Sequence, residues 1–348
     1  MVGIDDVAKH AGVSTATVSR ALSGRGYVSD ATRAKVSASA EHLDYVVSSN
    51  ASSLASGRTR NVGIVVPFLS EWYFSSVVEG AETALLRRGY DLTLYNLTGG
   101  GDDRRSVFEH FLLRRRVDAV IAVSLELSDD EVSSLHSLGK PLVSVGGVLP
   151  GVPSLTVVDS AMTSLSTEHL LSLGHTRIAH IGGDSAFDRD FKVPTYRRKG
   201  YEQALRDAGI TPDPALFRAA DFTMKGGFRA AKQLLGQPRD RPTAIVAASD
   251  EMAIGSILAA RDLGLNVPGD VSVSGVDDHQ LADFFGLTTV AQFPKRQGER
   301  AVELLMEHLE PEPGAAQSTP DLLSAERVPV PFELVVRSST AAPKPSTA

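Results

Sequence analysis

From residue 61 to about residue 310 the apolar residues follow two alternating rhythms. In one they stand in short runs: Val62-Gly-Ile-Val-Val66, Asp91-Leu-Thr-Leu-Tyr95, Ala119-Val-Ile-Ala-Val123 and Pro141-Leu-Val-Ser-Val145. In the other, over about 73–89, 103–115 and 129–138, the segments between the runs read as helical. Such alternation predicts parallel strands joined by helices that cover both faces of a sheet. A second set repeats it, with strands at Arg177–Ile181, Ala244–Ala248 and Val271–Val276 and helices near 161–173, 196–208, 223–235 and 250–263. Two similar α/β halves follow. After Thr288–Gln292 come a helix, Gly298–Leu309, and strand-like runs at Arg327–Val330 and Glu333–Arg337, which would return the chain across the cleft between the halves.

The first 45 residues carry a different pattern. Ile4, Val7 and Ala8 share one helical face, Gly12 can take the left-handed backbone of a sharp turn, and Ser14 is placed to cap a second helix carrying Val18 and Leu22. Helices this short are unstable alone, so they must pack on each other and on a third helix, capped by Ser29 and defined by Val36, Ala40 and Leu43. This is the pattern of a helix-turn-helix, whose second helix enters the DNA major groove with its first residues on base edges. Thr15, Ala16 and Arg20 take those positions. Arginine pairs with guanine N7 and O6, the Thr15 and Ala16 methyls suit a thymine methyl, and Thr17 and Ser19 can hydrogen-bond phosphates. An ordinary helical hairpin with a solvated arginine would share the same apolar spacing.

The stretches Ile4-Asp-Asp-Val-Ala-Lys-His-Ala-Gly-Val-Ser-Thr-Ala-Thr-Val-Ser-Arg-Ala-Leu22, Val28-Ser-Asp-Ala-Thr-Arg33 and Ser53-Leu-Ala-Ser-Gly-Arg-Thr-Arg-Asn-Val-Gly-Ile64 resemble the lactose-repressor (LacI/GalR) family of bacterial transcription regulators, and the likeness runs to about Ser339. The resemblance implies an all-α helix-turn-helix head on an α/β body of two doubly wound parallel-sheet lobes, similar to periplasmic binding proteins, with ligand between the lobes. The expected divisions are a DNA-binding domain over 1–46, a hinge over 47–60 and an effector-binding and dimerisation domain over 61–338. Its first lobe would take about 61–159 and 292–320, and its second about 160–291 and 321–338. The implied activity is repression through a palindromic operator bound by a homodimer and switched by a small molecule, a sugar first and a purine or nucleoside as the alternative. A hinge helix from Asn50 to Ser56 would form on the operator, with Leu54 wedged into the minor groove to kink the duplex. Where the family often has Tyr-x-Pro-Asn, this chain has Tyr45-Val-Val-Ser-Ser-Asn50, so no proline fixes the start of the hinge. The Pro-, Ser-, Thr- and Ala-rich tail from Ser339 to Ala348 is expected to be disordered, and it lacks the leucine heptads of a tetramerising helix.

Composition adds a few constraints. A chain of 348 residues is too long for a DNA-binding head alone, and no run approaches the roughly 18 consecutive apolar residues of a membrane helix. Seven Lys/Arg against five Asp/Glu over residues 1–60 leave +2 on the head and −9 on the remainder, the split of a protein that holds DNA by one end. The absence of cysteine excludes disulfides and thiolate metal sites. With no secretory signal ahead of the first helix, the expected compartment is the cytoplasm. No metal or cofactor spacing, nucleophile elbow, zinc-protease motif or P-loop is present, so catalysis is not expected. A pure solute-binding protein is the rival reading, but it would need an export signal and no basic head.

For the cleft, the resemblance carries over by position. Arg197-Arg-Lys-Gly-Tyr201 resembles the family's Arg-x-x-Gly-aromatic motif, whose first arginine binds effector, and Gly275-Val-Asp-Asp278 its Gly-aromatic-Asp-Asp motif, which puts Asp277 in the cleft. Ser249-Asp250 matches the family's Asn-Asp, with Ser249 replacing the ligand-binding asparagine. Trp72, Tyr73 and Phe74 stand where Pro-Phe-Phe is common, and Phe222 where a cleft aromatic is often found. Charged groups around a ring edge and an aromatic against its C–H face are what a polyhydroxylated ligand requires, although such carboxylates also serve as helix caps and such aromatics as core. The aspartate common after the strand ending at Val145 is Gly146 here. Arg104, Arg105 and Arg114–Arg116 share a helix with Val107, Phe111 and Leu112 and read as a solvated face. Gly174-His175 reads as a helix C-cap with the imidazole at the helix's negative end.

Overall fold

The computed structural model describes residues 2–23, 26–45, 58–97, 102–112, 116–125, 127–184, 192–310 and 326–345. They form two compact units, Met1–Asn61 with Arg116–Asp118, and the rest. In the first, helices α1 (Ile4–Ala11), α2 (Thr15–Ser23) and α3 (Asp30–His42) close on the fully buried Val7, Ala11, Val18 and Val36, with Ile4, Leu22 and Leu43 packed against them. Gly12 turns the chain at φ 62°, Ser14 Oγ accepts the Thr17 N–H at 3.2 Å, and Ser29 Oγ accepts the Thr32 N–H at 3.3 Å. Arg33 donates to the Ala21 carbonyl at 2.9 Å and ties α3 to α2. Further along, the backbone N–H groups of Thr59 and Arg60 donate to the buried Asp118 carboxylate at 2.9 and 2.8 Å.

In chain order the second unit runs β1 (Asn61–Val66), α4 (Trp72–Leu86), β2 (Asp91–Asn96), α5 (Asp102–Ser106), β3 (Ala119–Val123), α6 (Asp129–Ser137), β4 (Leu142–Val145) and β5 (Ser154–Thr156). After a first crossover come α7 (Asp159–Ser172), β6 (Ile178–Gly183), α8 (Val193–Asp207), β7 (Phe217–Ala220), α9 (Met224–Leu235), β8 (Ala244–Ala247), α10 (Asp250–Asp262), β9 (Ser272–Asp277), α11 (Ala282–Phe285) and β10 (Thr288–Ala291). A second crossover leads to α12 (Pro294–Leu309) and β11 (Arg327–Pro329), and a third to β12 (Glu333–Val335). The two sheets have the orders β11-β5-β4-β3-β1-β2 and β12-β10-β9-β8-β6-β7. β12 joins the second sheet antiparallel to β10, whereas β10, β9, β8, β6 and β7 pair in parallel. Because chain order reverses at β1 and at β6, each sheet opens a crevice beyond its strands' carboxyl ends.

Several expectations are corrected. β11 pairs in parallel with β5, so Arg327–Pro329 belong to the first lobe and not to the second, to which the expected division assigns about 321–338. The tail is part of the fold over its described residues, 339–345: Ser339 is buried, its hydroxyl donates to the Val273 carbonyl at 2.6 Å, and the Ala341 N–H reaches Ser272 Oγ at 3.1 Å. Gly174-His175 does end α7, with Gly174 left-handed at φ 93° and the His175 N–H donating to the Leu170 carbonyl at 3.2 Å, but the imidazole turns inward. It is buried, with Nε2 2.8 Å from the Ala341 carbonyl and Nδ1 2.9 Å from Thr243 Oγ1, and burial lowers its pKa. Beyond α5 the backbone passes into a π-helix, Val107–Phe111, and Arg104 forms a bidentate pair with Glu131 at 2.5 and 2.9 Å rather than a solvated charge.

The first lobe's core includes α4 and α12, which touch backbone to backbone. A methyl on Gly80 would lie 2.0 Å from the Lys295 carbonyl oxygen, and one on Gly298 2.0 Å from that of Val77. Overpacking of this kind costs roughly 1–3 kcal/mol. Gly80→Ala should therefore lower the urea midpoint clearly, while Gly269→Ala, whose added carbon would meet Asn266 at an ordinary 3.4 Å, should not. Equal midpoints for the two variants would remove this contact from the account.

Candidate nucleic-acid interface and effector cleft

On α2, Thr15, Ala16, Ser19 and Arg20 are exposed while Val18 and Ala21 are buried, so the helix shows its polar face away from the three-helix core. Thr17 is half-buried, its Oγ1 2.9 Å from Ser14 Oγ at the start of the helix. Asn50 and Leu54 lie outside the described residues.

In the second unit a cleft, partly open to solvent, lies where the strands of both sheets end. The first lobe contributes Glu71, Trp72, Tyr73 and Phe74 at the start of α4, Ser124 after β3 and Gly146 after β4. From the second come Asp159 at the start of α7, Arg197 on α8, Phe222 after β7, Ser249 and Glu251 around the start of α10, and Asp277 at the end of β9. Gln292 enters from the crossover after β10. Trp72, Tyr73, Phe74, Arg197, Phe222, Ser249 and Asp277 are thus brought together, although Phe74 is 3% exposed and packs mainly into the core. Asp250 is not among the lining residues. It is fully buried, accepting the Thr289 hydroxyl at 2.6 Å and the His279 N–H at 2.8 Å. At Gly146 a side-chain carbon would lie 2.1 Å from Ser124 Oγ and on a left-handed backbone at φ 90°, so the aspartate the family often carries there would require Ser124 to turn away and the backbone to bear strain.

Arg197 is held more tightly than a ligand-binding arginine needs to be. Its Nε donates to Asp159 Oδ1 at 2.8 Å, one Nη to the Ala248 carbonyl, and that Nη stands 3.8 Å from Asp277 Oδ1. Asp277 also accepts from Gln292 Nε2 at 2.5 Å. Burial raises the pKa of both aspartates, with the guanidinium opposing the shift. Glu71 is pushed up to about 7 by burial, then by Glu251, Asp277 and Asp221, and Glu251 to about 7 by burial and Asp277. Motif matching overlooked Glu71, Asp159, Glu251 and Gln292; for the three acids the hint available was a carboxylate at or beside a helix start following a strand, and Gln292 carried no such signal. The backbone at the rim is unusual too. Ser124 (φ 43°), Phe222 (57°), Asp277 (131°), Asp278 (57°) and Phe293 (53°) are all left-handed without being glycine.

The shifted acids predict a pH dependence. An acid whose pKa is higher in the folded state binds its proton more tightly there, so it favours folding most below the unfolded pKa, 4.5 for Glu71 and Glu251, and that gain is lost as pH rises through about 7. Below 6.5 the half-buried His169 and the buried His175, His180 and His279, whose pKa values burial lowers, act in the opposite sense. Between about pH 8 and 6.5, therefore, the wild-type melting temperature should rise as pH falls, and Glu71→Gln with Glu251→Gln should flatten the slope. Calorimetry at several pH values decides, and parallel slopes would mean the two acids titrate normally.

Among the described residues no cluster of His, Cys, Asp or Glu could hold a metal ion, and no helix is long and apolar enough to cross a membrane. Residues 3–48 match the model for bacterial regulatory proteins of the lacI family, and residues 167–340 a periplasmic binding protein-like domain. The chain is 32% identical over 314 residues to the HTH-type transcriptional repressor PurR of Vibrio vulnificus (strain CMCP6), covering 89% of this chain and 92% of that protein. The PurR of Yersinia pestis (strain Pestoides F) is 33% identical over 315 residues, covering 89% and 91%. Among solved structures, the lac repressor dimer bound to operator and the anti-inducer ONPF matches with a TM-score of 0.82 at 27% identity, over 98% of this chain and 99% of that one. The transcriptional regulator CelR in complex with cellobiose matches at 0.69 and 30%, over 97% and 100%. On its head, its two-lobed body and these relatives, the chain belongs to the LacI family of bacterial transcriptional regulators.

Proposed function

We propose that this protein represses transcription by binding a palindromic operator as a homodimer, through Thr15, Ala16, Thr17, Ser19 and Arg20 of the second helix and Asn50 and Leu54 of the hinge, and that a small polyhydroxylated effector in the cleft controls it. The observation that carries the reading is one chain holding both a helix-turn-helix with an exposed polar face and a two-lobed cleft lined by aromatic rings and hydrogen-bonding groups. The lac repressor dimer on its operator and CelR with its cellobiose support the two halves of the proposal. A purine effector is the second reading, favoured by the PurR relatives and by Trp72 and Phe222, whose rings could stack on a nucleobase.

Arg20→Ala should weaken operator binding by roughly 1–3 kcal/mol per half-site and relax preference at one base position, read by anisotropy against an operator selected from a random library. Unchanged affinity and specificity would remove Arg20 from base readout. The cleft is tested with Asp277→Asn, because Arg197→Ala would strand two buried carboxylates at a cost of roughly 3–5 kcal/mol. A thermal-shift screen of sugars and nucleobases identifies the effector, since ligand at 100 times its Kd adds about 2.7 kcal/mol. Operator titrations with that effector should then show the response lost in Asp277→Asn. A wild-type response would place the effector elsewhere.

A further inference from the structure

The cleft presents many acceptors, and its strongest donors are already engaged. Arg197 is the one cation among the described lining residues, and it is committed to Asp159, the Ala248 carbonyl and the flank of Asp277. The Tyr73 hydroxyl donates to Gln297 at 2.8 Å. Gln292, 1% exposed, gives its Nε2 to Asp277 and leaves Oε1 buried with no partner. Rotating that amide would set an oxygen against the carboxylate, so the bare acceptor is fixed by its neighbour. Glu71 and Glu251 come from opposite lobes, both are partly buried, and neither forms an ion pair among the described residues. With all five charged lining groups ionised, the cleft carries −3. A phosphorylated or carboxylated ligand would meet that charge with no uncommitted cation among the described lining residues to receive it. A ligand rich in donors and carrying a positive charge would satisfy both glutamates and the orphaned amide oxygen.

We infer, resting on the cleft being the effector site, that its ligand is a small polyhydroxylated molecule bearing a protonated amine, an amino sugar or aminocyclitol in class. The ammonium lies between Glu71 and Glu251, and the ring lies against Trp72 and Phe222, whose faces attract a cation as well as C–H groups.

Matched ligands test this: glucosamine with glucose, galactosamine with galactose, N-acetylglucosamine as the uncharged amide, glucose 6-phosphate as the anion, and adenine and hypoxanthine, each by calorimetric titration and thermal shift. At least one amine should bind tenfold or more tightly than its neutral partner. Its advantage should shrink as salt is raised and vanish in Glu71→Gln with Glu251→Gln, circular dichroism verifying the variant's fold. A neutral sugar, purine or sugar phosphate that binds as well as any amine, and loses binding in Asp277→Asn, keeps the cleft as the effector site and overturns the charge assignment. Silence of every ligand overturns both.

Discussion

One buried guanidinium organises the second lobe's wall of the cleft. Arg197, on α8 and 6% exposed, reaches the first residue of α7, the carbonyl just beyond β8 and the carboxylate that ends β9. A buried ion pair contributes little net stability, because desolvation offsets most of the attraction, but removing one member is costly because it leaves charge uncompensated. Here one cation stands between two carboxylates, so neither Asp159 nor Asp277 can relocate without stranding the other partner's charge. Arg197 is therefore chiefly a cross-tie, and what it presents to a ligand is the fixed position of the two aspartates.

The strand ends around this tie bear backbone strain. Left-handed conformations at non-glycine residues cost of order 1–3 kcal/mol each, and Ser124, Phe222, Asp277, Asp278 and Phe293 all adopt them near the carboxyl ends of strands. At the end of β9 the Asp278 side chain is tied down, accepting from Arg337 at 2.8 Å, and at the start of that strand Ser339, a few residues beyond β12, is hydrogen-bonded to Val273. Ser339, Thr340 and Ala341, in the segment that composition marks as disordered, help to hold the second sheet in place. Pro, Ser, Thr and Ala report low hydrophobicity, yet here the small hydroxyls act as ties, which no hydrophobicity count registers.

That contrast shows which features were legible. Strands buried on both faces are written largely in apolar residues, so β1, β3 and β8 stand out as runs, and β6 and β9 remain recoverable from Ile178, Ile181, Val273 and Val276 although His180, Ser272 and Ser274 interrupt them. β5 begins with the polar Ser154, and β7 is a half-exposed edge strand containing Arg218, so neither shows a run. The position of β11 depends on pairing across the whole sheet, which local pattern does not encode. In the cleft, Arg197 and Asp277 sit in contiguous motifs, but Glu71, Glu251 and Gln292 meet only because strand ends from both lobes converge. Asp250 shows the limit of adjacency: Ser249 lines the cleft while its neighbour turns inward to cap the Thr289 hydroxyl and the His279 amide.

A ligand can shift the lobes only by as much as it binds one arrangement better than another. Glu71 belongs to the first lobe and Glu251 to the second, and each like charge raises the cost of bringing them together in a partly desolvated space. Without a counter-charge, that repulsion opposes closure. A ligand donating to both carboxylates reverses its sign, and it gains most where the two approach most closely. The same pair that selects a positively charged ligand thus gives it a differential affinity for the closed arrangement. By reciprocity, whatever arrangement operator DNA favours must in turn tighten or loosen the ligand by the same factor.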